Sequence, residues 1–246
     1  MVDPRTSIID ERLKRVSRII AVSSGKGGVG KSLIATTLAL TLARKGLKVG
    51  LFDLDFTSPS THLILGAKNA QPKEEKGIVP PVVKGLEYMS LVYYCGDNPT
   101  PLRGADVSNA LIELLAVTRW SPLDFLVIDM PPGIGDAVLD LIRLVKRIEF
   151  LIVTTHSRLA FETVKKQLNL LQELKVPVIG LVENMKMNMV KNIQRQTEKL
   201  GLAFLGEIPY DLKVEEAIGD ETKLLNTVLA QKVKEMVRGK LCVDRN

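Results

Sequence analysis

Short apolar segments alternate with longer segments of helical spacing along most of the chain. Residues 19–22 form an apolar run typical of a buried strand, and residues 31–44 place apolar side chains at helical spacing up to a stop near Gly46. Residues 48–54 are typical of a second strand. A strand, a glycine-rich loop, a helix and a strand in this order predict a βαβ unit with parallel strands and a right-handed crossover.

The same alternation continues towards the C-terminus. Residues 125–129, 150–154 and 178–182 predict further strands, and residues 137–146 and 159–174 predict the helices between them. The polar stretch 65–81, with its Pro and Gly, indicates a surface excursion and not a domain boundary. We therefore expect an α/β fold, a doubly wound and mainly parallel sheet with helices on both faces, whose ligand crevice lies at the carboxyl ends of the strands. A helix or arm at 1–18 would precede a single domain at 19–246 that ends in an amphipathic helix.

Composition fits a folded protein and bears on its location. The 246 residues are 46% hydrophobic and 25% charged, the mixture of a globular chain. No apolar run reaches the roughly 20 residues of a membrane-spanning helix, and the charged N-terminal segment lacks the apolar stretch of a secretory signal. Cys95 and Cys242 lie far apart and indicate neither a disulfide framework nor a self-contained zinc site. We expect a cytoplasmic protein.

The net charge of +6 leaves two interpretations open. Contact with nucleic acid or with an anionic membrane would use such a charge, but the basic residues are spread along the chain, as on a solvated surface that also binds phosphate. The C-terminal segment has apolar residues at helical spacing with basic residues between them. It predicts either a helix that lies on a membrane or a last helix packed on the core.

The loop between the first strand and the first helix carries the strongest chemical signal. Residues 25–32 have the pattern G-x-x-x-x-G-K-S in the strand–loop–helix context that this motif requires. Backbone N–H groups of Gly28, Gly30 and Lys31 would surround phosphate oxygens, Lys31 would reach the β- and γ-phosphates, and Ser32 would bind Mg²⁺. A loop that merely turns the chain would leave Lys31 and Ser32 unexplained. We therefore predict a P-loop NTPase fold with ATP and Mg²⁺ as cofactors, and nucleotide contacts from Gly25, Lys26, Gly27, Gly28, Val29, Gly30, Lys31, Ser32 and Leu33.

A second acidic motif follows a later strand. Residues 125–129 end in Asp129, the form of a Walker B element whose carboxylate holds Mg²⁺, usually through water. Pro131, Pro132 and Gly133 follow after Met130, and the N–H of Gly133 could approach a γ-phosphate and sense its loss. The alternative is an aspartate that caps a turn.

Two further carboxylates, Asp53 and Asp55, follow the second strand. Strand alternation places them on the same side, facing the phosphates. We expect Asp55, nearer the loop, to act as the base that positions or deprotonates the attacking water, and Asp53 to order the Mg²⁺ shell. Two solvated acids in a turn are the alternative. The predicted catalytic set is Lys26, Lys31 and Asp55, and the predicted metal set is Ser32, Asp53 and Asp129.

Several blocks resemble a known family of ATPases. Lys26 within Lys-Gly-Gly-Val-Gly-Lys-Ser is the signature of the deviant Walker A ATPases, the group of MinD, ParA and the nitrogenase iron protein. The chain is more closely similar to the Mrp/ApbC branch at residues 102–104 (Leu-Arg-Gly), 123–133 (through Asp-Met-Pro-Pro-Gly), 157–160 (Ser-Arg-Leu-Ala), 176–185 (through Glu-Asn-Met) and 205–209 (Leu-Gly-Glu-Ile-Pro). The likeness runs from about residue 19 to past residue 209.

This resemblance implies a homodimer in which Lys26 reaches the ATP phosphates of the other subunit. It also implies that Asn184 and the segment at Pro209 bind adenine. The chemistry agrees, because a lysine can neutralise transition-state charge and an amide can pair with adenine. Asn184 as a turn residue after a strand is the alternative.

The sequence departs from the family in two places. Ser58 stands where the branch usually has glycine. Members that carry iron–sulfur clusters usually have a C-x-x-C pair after Glu-Asn-Met, whereas this chain continues Lys-Met-Asn-Met with no cysteine. Because such clusters need thiolate ligands, an iron–sulfur cofactor held by that motif is not expected. Two interpretations exist for Met185, Met187 and Met189, an adaptable apolar contact surface and a soft-metal site, and the first is preferred. His62 and His156 are interpreted as structural.

Three functional hypotheses follow. The first is an ATP-hydrolysing homodimeric switch similar to the Mrp/ApbC proteins, whose nucleotide state gates the binding of an unknown protein client. The second is a positioning ATPase of the MinD or ParA kind that binds membrane or DNA in its ATP state. The third is a nucleotide-dependent adaptor whose turnover is too slow for hydrolysis to matter.

Overall fold

The computed structural model of the protein describes residues 3–67, 70–95, 105–187 and 193–241. Its strands follow the apolar segments of the sequence. They are β1 (Val16–Ser24), β2 (Val49–Asp53), β3 (Lys73–Glu74), β4 (Ile78–Val79), β5 (Val82–Val83), β6 (Leu86–Ser90), β7 (Leu123–Asp129), β8 (Ile148–Thr155), β9 (Val178–Lys186) and β10 (Phe204–Pro209).

The helices alternate with these strands. They are α1 (Arg5–Leu13), α2 (Lys31–Ala43), α3 (Thr61–Leu65), α4 (Val92–Cys95), α5 (Ala105–Val117), α6 (Asp136–Leu144), α7 (Arg158–Glu173), α8 (Ile193–Lys199), α9 (Lys213–Glu216), α10 (Glu221–Leu225) and α11 (Val228–Met236), and a π-helical turn (Val237–Leu241) follows α11. Side-chain oxygens of Ser157, Asp220 and Thr227 accept N–H bonds at the starts of α7, α10 and α11. These bonds satisfy donors that the first helical turn leaves without an intrahelical partner.

Within the described residues, eight strands form one sheet in the order β10-β9-β8-β1-β7-β2-β6-β5. Every neighbouring pair is parallel except β5 with β6. The short hairpin of β3 and β4 lies in the polar stretch that the sequence assigns to a surface excursion. The predicted α/β fold with a mainly parallel sheet is therefore confirmed.

Successive residues of β1 point into two different cores. Ile19 and Ala21 belong to a cluster with residues of α1, α5, α6 and α7, whereas Ile20 and Val22 belong to a cluster with residues of α2, α3 and α11. This alternation is the period-2 pattern of a strand that is buried on both faces. The central strands therefore read as continuous apolar runs, and their carboxyl ends carry the polar residues.

The two ends of the chain contribute to these cores. Ile9 and Leu13 of α1 are buried beside α5 and α6. At the other end, Leu229, Val233 and Met236 of α11 are buried against α2 and β10. The C-terminal apolar stripe is thus packed on the core. None of the helices in the described ranges combines the length and apolarity that a membrane crossing needs.

Candidate nucleotide-binding site

The glycine-rich loop leaves the sheet at its centre, where β1 lies between β7 and β8. Gly28 and Gly30 have φ angles of 76° and 79°, a left-handed conformation that disfavours any side chain with a Cβ. Gly30 immediately precedes α2, so the loop ends at a helix N-terminus. The side chain of Val29 is buried in the core between them. The loop therefore has the backbone form and the helix dipole that suit phosphate binding.

Lys31 joins the loop to the acidic residues at the neighbouring strand ends. Its Nζ donates to Asp129 Oδ1 at 2.6 Å, lies 3.7 Å from Asp55 Oδ2, and lies 3.3 Å from Ser32 Oγ. Lys31 is 6% exposed and Asp129 is 0% exposed. One buried ammonium group is thus shared by both carboxylates and the predicted Mg²⁺-binding hydroxyl.

Asp129 lies at the carboxyl end of β7, directly beside Val22 of β1 and Asp53 of β2. Burial raises the pKa of Asp129, whereas the nearby Lys31 ammonium lowers it. Its Oδ2 is buried and has no hydrogen-bond partner among the described residues. A buried carboxylate oxygen without a donor favours a water molecule or a cation beside it.

The turn after β7 contacts the P-loop strand. The N–H of Gly133 donates to the carbonyl oxygen of Ser24 at 2.8 Å, and Gly133 has a φ of 85°. Pro132 lines the cavity beside the loop. To sense a γ-phosphate as predicted, the Gly133 N–H would have to exchange its bond to Ser24 for one to the phosphate.

Asp53 and Asp55 have different surroundings. Asp55 lines the cavity at the P-loop, and its Oδ1 accepts from Thr57 Oγ1 at 2.7 Å and from Ser58 N at 3.1 Å. Asp53 does not line that cavity, and it accepts from the Thr61 hydroxyl at 2.6 Å and from the Asp55 N–H at 3.1 Å. Burial and the adjacent Asp129 raise the pKa of Asp53 to about 7. The geometry favours Asp55 over Asp53 for contact with a ligand, and the metal role of Asp53 stays a prediction.

The cavity at the P-loop has a volume of about 450 Å³. Its walls combine the loop, the segment after β2, the turn after β7 and apolar side chains, and the lining includes Lys26, Gly27, Gly28, Gly30, Lys31, Ser32, Leu33, Asp55, Leu63, Pro132 and Ile218. Lys26 is exposed at this cavity. Most of the predicted phosphate-binding residues therefore share one concave site.

The predicted adenine residues lie at the ends of β9 and β10. Asn184 is 2% exposed, and its Nδ2 donates to the carbonyl oxygen of Val29 at 2.9 Å. A Cβ on Gly30 would overlap this amide, so Asn184 packs directly on the P-loop. Pro209 is exposed at the end of β10. Adenine binding by Asn184 and Pro209 stays a prediction.

The remaining sequence candidates are distributed unevenly. A Cβ built on Gly30 would lie 3.2 Å from Met185 Cε, so Met185 lies against the P-loop. Met187 is 51% exposed. Met189, Cys242 and residues 102–104 lie outside the described residues, and Cys95 is the last residue of α4. Within the described ranges, no three His, Cys, Asp or Glu side chains converge as a metal site.

A family model described as ParA, NUBPL iron-transfer P-loop NTPase, matches residues 15–240. The chain belongs to this family. The match spans the P-loop, the acidic strand ends and the segment at Asn184. The family agrees with the resemblance to the Mrp/ApbC branch of the deviant Walker A superfamily.

Curated relatives and solved structures agree with the family. An iron–sulfur cluster carrier protein from Pseudomonas fragi is 39% identical over 220 residues, which cover 83% of this chain and 77% of that protein. One from Methanocaldococcus jannaschii is 36% identical over 249 residues, which cover 94% and 86%. A nucleotide-binding protein from Archaeoglobus fulgidus, solved with ADP, superposes with a TM-score of 0.74 at 28% identity and covers 94% of this chain and 92% of its own. The cell division ATPase MinD from Pyrococcus furiosus has a TM-score of 0.69 at 20% identity, covers 91% and 98%, and shows the shared fold.

Sequence reasoning did not find several residues that hold the site together. Thr61 bonds to Asp53, and Tyr88 bonds to Thr61. Gln167 of α7 donates to Ser23 Oγ at 2.6 Å, just before the P-loop, and both side chains are buried. Threonine, tyrosine and glutamine are common residues, and only the packing of distant elements brings these hydroxyl and amide groups together. Of these residues, only Thr61 had a feature that the local sequence could reveal, its position at the start of a helix.

Proposed function

We propose that this protein binds ATP with Mg²⁺ and hydrolyses it to ADP and phosphate. The observation that carries the proposal is the constellation of Lys31, Ser32, Asp55 and Asp129 at one glycine-rich cavity. Membership of a P-loop NTPase family and the likeness to an ADP-bound protein support it. Neither a bare phosphate-binding loop nor a simple turn needs two carboxylates beside the loop lysine.

The residues present fit a magnesium ion. Ser32 Oγ and Asp129 would hold it, because the Oδ2 of Asp129 is buried without a partner among the described residues and Mg²⁺ uses few protein oxygens. When bound, Mg²⁺ would neutralise phosphate charge and polarise the phosphoryl group.

The chain supplies the other catalytic functions. The P-loop N–H groups and Lys31 would bind the phosphate oxygens and stabilise the charge that develops in the transition state. Asp55 would orient the attacking water and accept its proton, since its carboxylate lines the cavity and its Oδ1 is fixed by Thr57 and Ser58. Nucleophile and phosphate are thereby held in one site, which lowers the entropic cost of their encounter.

The test is phosphate release from ATP, measured with Mg²⁺ and with EDTA. We expect Mg²⁺-dependent turnover in the native protein. Lys31→Ala should lose tight ATP binding, whereas Asp55→Asn should bind ATP with a similar Kd and release phosphate about 100-fold more slowly, because a water-positioning acid acts mainly in the transition state. Turnover at the native rate in Asp55→Asn would remove the proposed base. Native ATP affinity in Lys31→Ala would refute the phosphate site.

We further propose that ATP brings two copies of the chain together and thereby gates the binding of a protein client. Lys26 is exposed at the cavity, and in the proposed dimer its ammonium would reach the phosphates bound by the other copy. The curated relatives are named iron–sulfur cluster carriers, which directs the search for the client to proteins that receive such clusters. Proteins retained only by the ATP-bound Asp55→Asn variant would identify that client.

The alternative is a positioning ATPase that binds membrane or DNA. The buried C-terminal stripe on α11 does not favour membrane binding through that helix. Co-sedimentation with anionic liposomes and with DNA, each with and without ATP, separates this alternative from a switch that binds a protein client.

A further inference from the structure

We propose that Thr61 and Tyr88 position the carboxylate of Asp55, and that they act through Asp53. The inference builds on the proposed hydrolysis, in which Asp55 contacts the attacking water. It assigns to Asp53 the task of closing the loop that carries Asp55, in place of contact with the metal shell. Thr61 and Tyr88 become positioning residues that never touch the nucleotide.

The orientation of Asp55 depends on its own loop. This loop, residues 54–60, joins β2 to α3. Asp55 Oδ1 accepts from Thr57 Oγ1 at 2.7 Å and from Ser58 N at 3.1 Å, which leaves Oδ2 on the side of Lys31 Nζ, 3.7 Å away. Because the bonds to Oδ1 come from the loop itself, a shift of the loop moves the carboxylate.

Asp53 holds both ends of this loop. At the upstream end, its Oδ1 accepts the N–H of Asp55 at 3.1 Å. At the downstream end, its Oδ2 accepts the N–H of Thr61 at 3.3 Å and the Thr61 hydroxyl at 2.6 Å. Thr61 is the first residue of α3, and the side chain of Ser60 before it makes no capping bond. One buried carboxylate therefore both caps the helix and closes the loop.

Tyr88 fixes the hydroxyl of Thr61. The two oxygens are 2.9 Å apart, and both residues are buried. When the Thr61 hydroxyl donates to Asp53, the Tyr88 hydroxyl donates to Thr61. Tyr88 lies on β6 opposite Leu51 of β2, so it is held by a strand that pairs with the strand of Asp53. The chain Tyr88–Thr61–Asp53 thus ties the start of α3 to two strands of the sheet.

The test compares variants that lose a bonded hydroxyl with variants that lose an unbonded one. Thr61→Val and Tyr88→Phe each interrupt the series of hydrogen bonds from Tyr88 through Thr61 to Asp53. Thr41→Val and Tyr93→Phe are matched controls, because the Thr41 and Tyr93 hydroxyls are buried and have no hydrogen-bond partner among the described residues. We expect kcat for ATP to fall about 10-fold in the first pair, because Thr61→Val removes a hydrogen bond to Asp53 and Tyr88→Phe removes the bond that orients the Thr61 hydroxyl, with KM unchanged.

Two further variants separate positioning from general damage. Thr61→Ser keeps the hydroxyl and should restore most of kcat. The double variant Thr61→Val with Tyr88→Phe should be little worse than Thr61→Val alone, because both act through one chain of bonds. A kcat that matches the controls in both single variants would overturn the proposal, and so would a loss that Thr61→Ser fails to restore.

Amide hydrogen exchange over residues 55–60 gives a readout that needs no turnover. We expect faster exchange in Thr61→Val and Tyr88→Phe and native exchange in the controls. Native exchange in all variants would overturn the proposal. If the native protein released no phosphate, the proposed function would fail, while exchange would still decide whether Thr61 and Tyr88 hold the loop.

Discussion

Among single residues, the site depends on the balance of charge between buried side chains. Lys31 is 6% exposed and bonds to the buried Asp129 at 2.6 Å, with Asp55 3.7 Å away. Burial raises the pKa of Asp129, and the ammonium group of Lys31 offsets only part of that effect. A buried ion pair contributes little net stability as a pair, but removing one partner leaves an uncompensated charge. Lys31 is therefore expected to serve the fold of the nucleotide-free protein as well as phosphate binding.

This expectation can be tested with the two lysines of the same loop. In the absence of nucleotide, Lys31→Met should lower the free energy of unfolding by about 3 kcal/mol, because it leaves Asp129 without its cation. Lys26→Met is the matched control, since Lys26 is exposed and the change should stay within about 0.5 kcal/mol. Urea denaturation at pH 7 measures both. Equal stability of the two variants would show that Asp129 does not need Lys31.

At the scale of elements, the P-loop and α7 approach each other closely. A Cβ built on Gly25 would lie 2.5 Å from Thr163 Oγ1 and 2.8 Å from the backbone nitrogen of Val164. Backbone atoms of a helix cannot yield as a flexible side chain does, so the loop would have to move away. Glycine at this position is thus required by packing against α7.

Gly25→Ala and Gly27→Ala form a matched pair for this contact. Gly25→Ala should lower the unfolding free energy by about 1–3 kcal/mol through overpacking. A Cβ on Gly27 meets nothing within 4 Å, and its φ is not in the left-handed region. Gly27→Ala should therefore leave the stability of the nucleotide-free protein nearly unchanged, as measured by thermal unfolding. If Gly25→Ala unfolded at the native temperature, the close approach to α7 would be contradicted.

Periodicity predicts well those elements whose apolar side chains are buried in the core at regular spacing. Residues 31–44 were predicted as a helix and form α2 (Lys31–Ala43), and residues 125–129 fall within β7. The ends of the elements were harder to predict from the sequence. β1 begins at Val16, three residues before the predicted start, because Val16 pairs with Leu123 in β7. β9 continues to Lys186, since Glu183 and Asn184 pair with Thr154 and Thr155 of β8 and Lys186 pairs with Pro209 of β10.

The candidate site was predictable where chemistry is local. The P-loop, Asp55 and Asp129 lie at or just after strand ends and have characteristic neighbours. Strand alternation did not distinguish Asp53 from Asp55: β2 ends at Asp53, and only Asp55 lines the cavity. The contact of Tyr88 with Thr61 depends on the pairing of β6 with β2, which no local pattern specifies.

For the whole molecule, the relatives suggest that the protein carries an iron–sulfur cluster, whereas its own cysteine content does not. The relatives are named iron–sulfur cluster carriers, yet this chain has two cysteines and no C-x-x-C after Glu183-Asn184-Met185. An iron–sulfur cluster needs thiolate ligands. We therefore expect the protein to act on a client and not to hold a stable cluster itself.

Anaerobic reconstitution with iron and sulfide tests this expectation. The protein should emerge from gel filtration without visible cluster absorbance, while its affinity for ATP stays native. Absorbance that persists at a fixed stoichiometry in the native protein, and disappears in Cys95→Ser or Cys242→Ser, would restore a direct carrier role.

If nucleotide state controls assembly, the mass of the protein in solution will change with the bound nucleotide. Light scattering should give a monomer of 27.1 kDa without nucleotide or with ADP. Asp55→Asn with Mg²⁺ and ATP should give twice that mass, because ATP remains bound and both copies supply contacts to its phosphates. Lys26→Ala in the same background should weaken the dimer more than it weakens ATP binding. A constant mass of 27.1 kDa in every nucleotide state would show that ATP does not bring two copies together.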